Sequence, residues 1–333
     1  MEIDIVVLWV DGNDPKWISE KNNWSRPDTQ MSNTINRFRD WGLMPYWFRA
    51  IEQFSPWVRT IHFVTCGQTP SFLNTNHPKL HVVNHTEFIP NEWLPTFNSA
   101  AIELNIHRID GLSEHFIYMN DDTFFLRPIK PTSFFINGFP CINGSERPII
   151  PYNTNDIVSH HEFNDIGFIN RHFNKRQQVK AYRTKYLNTV YGKKDYFKSL
   201  FSKIISPRFF VGFKNLHAPI PMLKTTLEEI WSAEPETLIQ TSEHKFREMS
   251  DVNQWVALWW QVASGSFIPS APDNSYFPIQ EKTLLQICET IREQKHDMLC
   301  INDHDQSVNF SQCQNAILLA FNSLLPNKSS FEK

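Results

Sequence analysis

The sequence predicts an α/β fold in which a mostly parallel, doubly wound central sheet carries helices on both faces. Four short runs rich in β-branched and aromatic residues each end at a polar residue or a glycine, as expected of strands that are buried on both faces. They cover residues 4–10, 60–67, 79–85 and 115–120. Segments with apolar residues at helical spacing lie between them, at 44–54 and 98–109. Strands that alternate with helices favour parallel pairing, so we expect one such sheet through about residue 130.

Composition and charge narrow the class of protein. The chain of 333 residues is 41% hydrophobic and 20% charged, which is typical of a globular protein with a sizeable core. The formal net charge of -3 gives no overall electrostatic footprint for nucleic acid, and we expect no nucleic-acid partner. The five cysteines are scattered without a C-x-x-C pair, which indicates neither a disulfide framework nor a zinc site. Because the N-terminus has no basic leader and no apolar run reaches membrane-spanning length, we expect a cytoplasmic protein.

Acidic and amide side chains interrupt the apolar pattern where two predicted strands end. Asp121 and Asp122 follow the last of the four runs, and Asn302 and Asp303 follow another β-rich run further along the chain. Ligands bind open α/β sheets outside the carboxyl ends of the strands, so these clusters predict the rim of a cleft. Their hard oxygens suit Mg²⁺ or Mn²⁺ held against a diphosphate, which needs only one or two protein carboxylates. The plainer alternative is a pair of aspartates that solvates a turn or caps a helix.

Three further side chains could serve the chemistry of a phosphate compound. Arg39, in the run from Arg37 to Asp40, offers a guanidinium fork that binds phosphate oxygens in bidentate fashion. His217 precedes a stiff Ala-Pro turn, and a histidine can accept a proton from a sugar hydroxyl. Arg247 could stabilise charge on a transferred phosphoryl group. Each has an ordinary alternative, which is a surface ion pair for the arginines and a packed or surface position for the histidine.

The middle of the chain differs in character, since it is basic, aromatic and helical in pattern. We interpret it as a helical insertion. The predicted divisions are an α/β core at 1–139, the insertion at 140–215, and a C-terminal remainder at 216–333. The basic part of the insertion, at 171–214, either contacts an anionic polymer or membrane surface or is a solvated helical face.

Taken together, four blocks of sequence resemble the Stealth family of hexose-1-phosphoryltransferases. That family includes bacterial capsule polymerases and the animal enzyme that tags lysosomal glycoproteins with N-acetylglucosamine-1-phosphate. The first block is DIVVLWVDGNDPKW, and the second and most specific runs from RFRDWGLMPYW to HFIYMNDDTFF. The stretch from HAPIPMLK to SEHKFREMSDVNQW is similar to the third block, and CINDHD to the fourth. The blocks occur in family order and cover about half of the chain.

The resemblance implies transfer of a sugar-1-phosphate from a UDP-sugar to a hydroxyl of an oligosaccharide or lipid-linked glycan acceptor, with release of UMP. The expected sugar is an N-acetylhexosamine. The resemblance also implies a glycosyltransferase-A-like fold, a Mg²⁺ or Mn²⁺ ion, and peripheral contact with the inner face of the plasma membrane. It makes residues 1–139 the nucleotide-sugar-binding core, 140–215 an insertion that faces the acceptor, and 216–333 the remainder of the catalytic domain.

By position, the resemblance assigns a role to each motif residue. His217 is the implied catalytic base, Arg247 the charge-stabilising arginine, and Asp122 a further catalytic residue. The implied metal ligands are Asp122 and Asp303. The implied substrate contacts are Asp4, Trp9, Asp11, Gly12, Arg39, Asp40, Asn98 and Asp121.

The sequence leaves two alternatives open. A metal-dependent glycosyltransferase would use the same fold and the same carboxylates but would release UDP. A sugar-binding or scaffold protein with an inactive site would be expected to lack the acidic clusters, His217 or Arg247, all of which are present.

Overall fold

The computed structural model describes residues 1–26, 38–151, 153–303 and 308–333, so Arg37, at the start of the run that contains Arg39, lies outside the described residues. The strands are Ile3–Leu8 (β1), Ile61–Thr65 (β2), Leu80–Asn84 (β3), His115–Met119 (β4), Thr123–Phe125 (β5), Phe135–Ile136 (β6), Phe139–Ile142 (β7), Ile220–Leu223 (β8), Ile268–Pro269 (β9), Asn274–Pro278 (β10) and Met298–Asn302 (β11). The helices are Pro15–Trp24 (α1), Met44–Phe54 (α2), Ser99–Asn105 (α3), Ile157–His172 (α4), Lys175–Ala181 (α5), Arg183–Tyr186 (α6), Lys193–Ile205 (α7), Lys224–Ala233 (α8), Pro235–Glu243 (α9), Trp255–Ala263 (α10), Glu281–Arg292 (α11) and Phe310–Leu324 (α12).

The central sheet has the strand order β3-β2-β1-β4-β8. β1 pairs in parallel with β2 and β4, and β2 pairs in parallel with β3. β8 runs antiparallel to β4 at the edge. The four runs predicted from the sequence are β1 to β4, and the mostly parallel α/β fold is confirmed.

Two hydrophobic cores lie on opposite faces of this sheet. Side chains alternate between the faces of a strand, and accordingly Ile5 and Val7 of β1 join one core and Val6 joins the other. The first core is completed by α2, α11 and α12, and the second by α3, α4 and α10. The prediction of helices on both faces is therefore confirmed. Helix α2 has the predicted bounds, because its apolar side chains, including the buried Trp47, Phe48 and Ile51, fall on one helical face.

The predicted insertion shares a core with the rest of the chain. Its helix α4 packs against α10, and Ile166, Phe168 and Ile169 belong to the second core. β7 spans the predicted boundary at residue 139 and pairs with β9. No helix in the described ranges is both long enough and apolar enough to cross a bilayer.

A second sheet, of order β10-β11-β5, brings distant acidic segments together. β11 runs antiparallel to β5, with Leu299 opposite Phe124 and Cys300 opposite Thr123. The pairing continues one residue further, where the Ile301 N–H donates to the Asp122 carbonyl at 3.0 Å. As a result, the residues that end β11 lie beside those that precede β5.

Candidate active site

A cavity of about 630 Å³ lies where β1, β4 and β11 end. This volume falls within the range of small-molecule binding sites. The predicted site residues that line it are Trp9, Arg39, Asp40, Asp121, Asp122, His217, Arg247 and Asp303. The structure thus brings together residues from all four blocks of sequence.

Asp121 and Asp122 are both difficult to ionise in this cavity. Burial raises the pKa of Asp122 to about 6, against the opposing effect of a hydrogen bond that Asn302 Nδ2 donates to its Oδ2 at 3.0 Å. Asp121 is reached by solvent, but the surrounding protein and then the adjacent Asp122 carboxylate raise its pKa to about 7. A positive group between the two would stabilise their ionised forms.

The Asp122 carboxylate has the features of a cation ligand. Its Oδ1 is buried and accepts no N–H or O–H hydrogen bond from the described residues, while the Cys300 thiol, a weak donor, lies beside the carboxyl group. Such an oxygen is costly to ionise unless a cation meets it. Within the described ranges, no group of three or more His, Cys, Asp or Glu side chains could hold a metal. The donors fit Mg²⁺, which accepts one or two carboxylates and takes its other ligands from phosphates and water.

Asp303 enters the cavity as the partner of Arg39. The guanidinium donates from Nε and Nη2 to the two carboxylate oxygens, each at 2.8 Å, and Trp41 Nε1 donates to Oδ2 at 3.0 Å. The guanidinium carbon also lies 4.7 Å from the centre of the Phe310 ring. Asp303 therefore positions Arg39 on the cavity wall, and its contact with a metal stays a prediction.

The segment that carries Arg39 lies against the loop that follows β1. A Cβ on Gly12 would stand 1.9 Å from the carbonyl oxygen of Phe38, so the close approach requires a glycine. Gly12 does not line the cavity and affects it through this packing, whereas Trp9 and Asp40 line it directly.

A buried network orients Arg247. Its Nη2 donates to Ser99 Oγ at 2.5 Å, at the first residue of α3. One turn further along α3, Glu103 accepts a hydrogen bond from the Tyr118 hydroxyl at 2.8 Å. Burial raises the pKa of Glu103, and the charge of Arg247 acts in the opposite direction. The carboxylate of Glu103 and the guanidinium therefore stabilise each other on the cavity wall.

His217 stands between the main cavity and a neighbouring cavity of about 460 Å³, and it lines both. Its backbone has a positive φ of 44°, and its N–H donates to Asn215 Oδ1 at 3.0 Å. The imidazole stacks on Tyr276, with ring centres 4.8 Å apart, and meets Trp255 edge-on at 6.2 Å. A left-handed conformation is unusual for a residue with a side chain and persists only where the surroundings impose it. The ring direction is therefore fixed by its neighbours.

Asp4 does not reach the cavity, contrary to the expected substrate contact. It lies near the start of β1, fully buried, whereas the cavity lies beyond the end of that strand. Its carboxylate accepts hydrogen bonds from Arg59 Nη2 at 2.5 Å and from the Ser113 N–H at 2.8 Å. The structure gives Asp4 a role in the scaffold because its oxygens already have strong donors.

Asn98 and Asp11 also act beside the cavity and do not line it. Asn98 Oδ1 caps α3, and its Nδ2 donates to Asp251 at 2.8 Å. Asp251 also accepts from the Glu248 N–H at 2.9 Å, so Asn98 ties α3 to the loop that carries Arg247. Asp11 Oδ1 accepts from the N–H two residues later at 2.9 Å, inside the loop before α1.

The residues that orient the two arginines, Glu103 and Trp41, were not among those predicted from the sequence. Glu103 had a local signal, since it is a carboxylate among Ala, Ile and Leu on the buried face of a short helix. Trp41 had none, because its acceptor lies 262 residues away in the sequence.

Comparison with known proteins is consistent with this geometry. Stealth protein CR1, conserved region 1, matches residues 1–26, and Stealth protein CR2, conserved region 2, matches residues 37–141. The capsular polysaccharide phosphotransferase WcwK of Streptococcus pneumoniae is 38% identical over 333 residues, which is 99% of each chain. The receptor polysaccharide phosphotransferase WefC of Streptococcus oralis is 37% identical over 337 residues, again 99% of each chain.

A third relative and one solved structure also align with the chain. The exopolysaccharide phosphotransferase cps2G of Lactiplantibacillus plantarum is 37% identical over 336 residues, which is 100% of this chain and 96% of that one. The solved structure of galactosyltransferase LgtC with donor and acceptor sugar analogues aligns over 98% of both chains, at 11% identity and a TM-score of 0.39. Matched conserved regions together with identity above 30% along the whole length show that the chain belongs to the Stealth family.

Proposed function

We propose that this chain, a phosphotransferase by family, transfers a sugar-1-phosphate from a UDP-sugar to a hydroxyl of a glycan acceptor in the synthesis of capsule or another cell-surface polysaccharide. The products are a phosphodiester and UMP, and the expected sugar is an N-acetylhexosamine. The observation that carries the proposal is that a single cavity is lined by two arginine guanidinium groups, a carboxylate suited to a cation and an imidazole. These belong to Arg39, Arg247, Asp122 and His217. These are the groups that transfer of a phosphoryl compound requires.

The two arginines suit the charge of the donor. A diphosphate brings negative oxygens into the cavity, and the guanidinium groups of Arg39 and Arg247 line it at fixed positions. Preorganised cations of this kind stabilise charge that develops in the transition state. We assign Arg247 to the transferred phosphoryl group and Arg39 to the remaining phosphate.

Asp122 is the principal candidate to hold Mg²⁺ or Mn²⁺, with Asp303 as the second candidate ligand. Bound there, the ion would neutralise the diphosphate oxygens as a Lewis acid. Asp121 would keep the field around the ion negative, because its pKa falls when a cation is near. The buried Oδ1 of Asp122 supports this assignment.

We assign His217, which lines both cavities, to receive the proton of the acceptor. In the proposed step, the acceptor oxygen attacks the β-phosphorus, the bond from that phosphorus to the bridging oxygen breaks, and UMP leaves with the bridging oxygen. The hydroxyl proton passes to the imidazole of His217. Because the bond between sugar and oxygen is not broken, the anomeric configuration is retained.

The neighbouring cavity beyond His217 supports an acceptor site. It is lined by charged and polar groups, including Arg147, Glu162, Asn274 and Tyr276, which can bind sugar hydroxyls. An acceptor bound there would present a hydroxyl to His217, while the donor occupies the main cavity. Proximity of this kind accounts for a large part of the rate of such reactions.

The nucleotide product tests the proposal. Purified protein is incubated with Mg²⁺, a panel of UDP-sugars and an oligosaccharide or lipid-linked acceptor, with chromatography of the nucleotides and phosphorus NMR of the glycan. UMP and a phosphodiester support the proposal, whereas UDP and a glycosidic bond indicate the metal-dependent glycosyltransferase instead.

A histidine variant tests the assigned base. His217→Gln should reduce transfer by about 10² to 10⁴-fold while UDP-sugar binding persists. The matched control is His296→Gln, because the side chain of His296 is 39% exposed and pairs with Asp273 outside the cavity. Full turnover by His217→Gln would exclude His217 as the base.

A further inference from the structure

Helix α7 buries small polar residues and exposes large apolar ones. Ser199 and Ser202 are each 2% exposed. The exposed apolar side chains are Phe197 at 63%, Phe201 at 62%, Ile204 at 70% and Ile205 at 56%. Surface helices of globular proteins have the opposite arrangement, so this face has a function other than packing within the chain.

The orientation of α7 is fixed by hydrogen bonds on its buried side. The Glu146 N–H donates to Ser199 Oγ at 3.0 Å. Lys175, which is fully buried, donates from Nζ to Ser202 Oγ at 3.0 Å and to Glu146 Oε2 at 2.8 Å. Rotation of the helix would break this network and remove the serine hydroxyl partners of the buried ion pair between Lys175 and Glu146. The hydrogen bonds of Ser199 and Ser202 therefore keep the apolar side of the helix on the outside of the protein.

The four exposed apolar residues form one continuous face. They follow the spacing i, i+4, i+7 and i+8, which confines them to about 100° of the helix circumference. We call this surface, made of Phe197, Phe201, Ile204 and Ile205, the α7 apolar face.

Positive charge surrounds the α7 apolar face. Lys193, Lys194 and Lys198 are exposed on the same helix. The segment 140–215 contains thirteen Lys or Arg residues against five Asp or Glu residues, although the chain as a whole has a net charge of -3. An apolar face with lysines beside it is the pattern of helices that lie in the interface of an anionic bilayer.

We propose that α7 is an interfacial helix that seats the protein on an anionic lipid surface. The α7 apolar face would enter the boundary between headgroups and acyl chains, and the lysines would meet the lipid phosphates. Charge favours a lipid surface over a second copy of this chain, because two copies that met through this face would bring like charges together. The helix lies in the plane of the surface, since 13 residues span only about 20 Å.

Vesicle co-sedimentation of the full chain tests the proposal. We expect binding to vesicles of phosphatidylcholine with phosphatidylglycerol, and weaker binding to phosphatidylcholine alone or at high salt. The affinity of the double variant Phe197→Ser, Phe201→Ser for the anionic vesicles should fall by at least about tenfold. Both side chains are exposed, so the thermal unfolding temperature should not fall.

A matched pair of leucines provides the control. Leu285 and Leu319 are 67% and 64% exposed on α11 and α12, and changing both to serine should leave vesicle binding unchanged. The proposal is overturned if the wild type does not sediment with anionic vesicles, or if the phenylalanine and leucine variants behave alike. It is also overturned if sedimentation velocity reveals a dimer that the phenylalanine variant abolishes, since the face would then cover a second copy. Vesicle binding is measured without turnover, so these outcomes are independent of the proposed reaction.

Discussion

Replacement of Asp4 by asparagine should reduce stability and leave donor binding intact. The carboxylate is fully buried, and burial alone would raise its pKa. The hydrogen bonds from Arg59, His62 and Ser113 outweigh burial and lower the pKa from 3.8 to about 2. The folded state therefore prefers the ionised carboxylate.

The size of the Asp4 pKa shift gives the expected loss of unfolding free energy. A shift of nearly two pKa units, at about 1.4 kcal/mol for each unit, corresponds to about 2.5 kcal/mol. Asp4→Asn should lower the free energy of unfolding by about this amount at pH 7. Because the folded-state pKa lies below the unfolded value, the contribution is complete above about pH 4 and disappears as the pH falls toward 2.

Urea unfolding followed by tryptophan fluorescence measures this loss. Glu2→Gln is the control, because Glu2 contacts the same Arg59 at 3.6 Å from a side chain that is 73% exposed, and it should change stability by less than about 1 kcal/mol. UDP-sugar affinity should be unchanged in Asp4→Asn, since Asp4 lies about 16 Å from Trp9 along the strand. An Asp4→Asn protein with full stability and lost UDP-sugar affinity would refute the scaffold role and place Asp4 in the donor site.

Three other variants test separate parts of the site. Gly12→Ala should weaken UDP-sugar binding by about tenfold in calorimetry, because the new Cβ displaces the Phe38 carbonyl, whereas Gly167→Ala, in a helix without a close neighbour, should bind normally. Arg247→Lys should lower kcat by about a hundredfold with little change in KM, and a rise in KM alone would indicate ground-state binding instead. His85 also lines the main cavity, and burial lowers its pKa from 6.5 to about 4, so the folded state should lose up to about 3 kcal/mol as the pH falls through this window. His85→Gln should flatten this part of the stability profile, and an unaltered profile would show that another group causes the loss.

Local patterns in the sequence account for the predicted part of the fold. β1, β2 and β4 are almost wholly buried because both faces of the sheet are covered there, whereas β3 at the sheet edge is only partly buried. Helix α2 shows its buried face through the spacing of its apolar residues. The sequence also places Asp121 and Asp122 at the cavity, since residues that follow a buried parallel strand have only the carboxyl edge of the sheet to occupy. These features depend on residues close together in the chain.

Features that depend on distant partners could not be predicted. The sequence marks Arg39 and Asp303 as charged groups suited to phosphate and metal, but it does not reveal that the fold pairs them across a sequence separation of 264. Nothing in the sequence around Asp4 indicates that Arg59 donates hydrogen bonds to its carboxylate oxygens. The outward face of α7 likewise depends on Glu146 and Lys175, so the sequence alone left contact with an anionic polymer or membrane surface and a solvated helical face as equal alternatives.

The antiparallel pairing of β5 with β11 has a consequence for the timing of synthesis. During translation, the segment with Asp122 leaves the ribosome well before the segment with Asn302, its hydrogen-bond partner 180 residues later. A chain interrupted before residue 298 lacks β11 and α12, and with them one wall of the cavity and part of the first core. The cavity is therefore complete only after β11 has paired with β5.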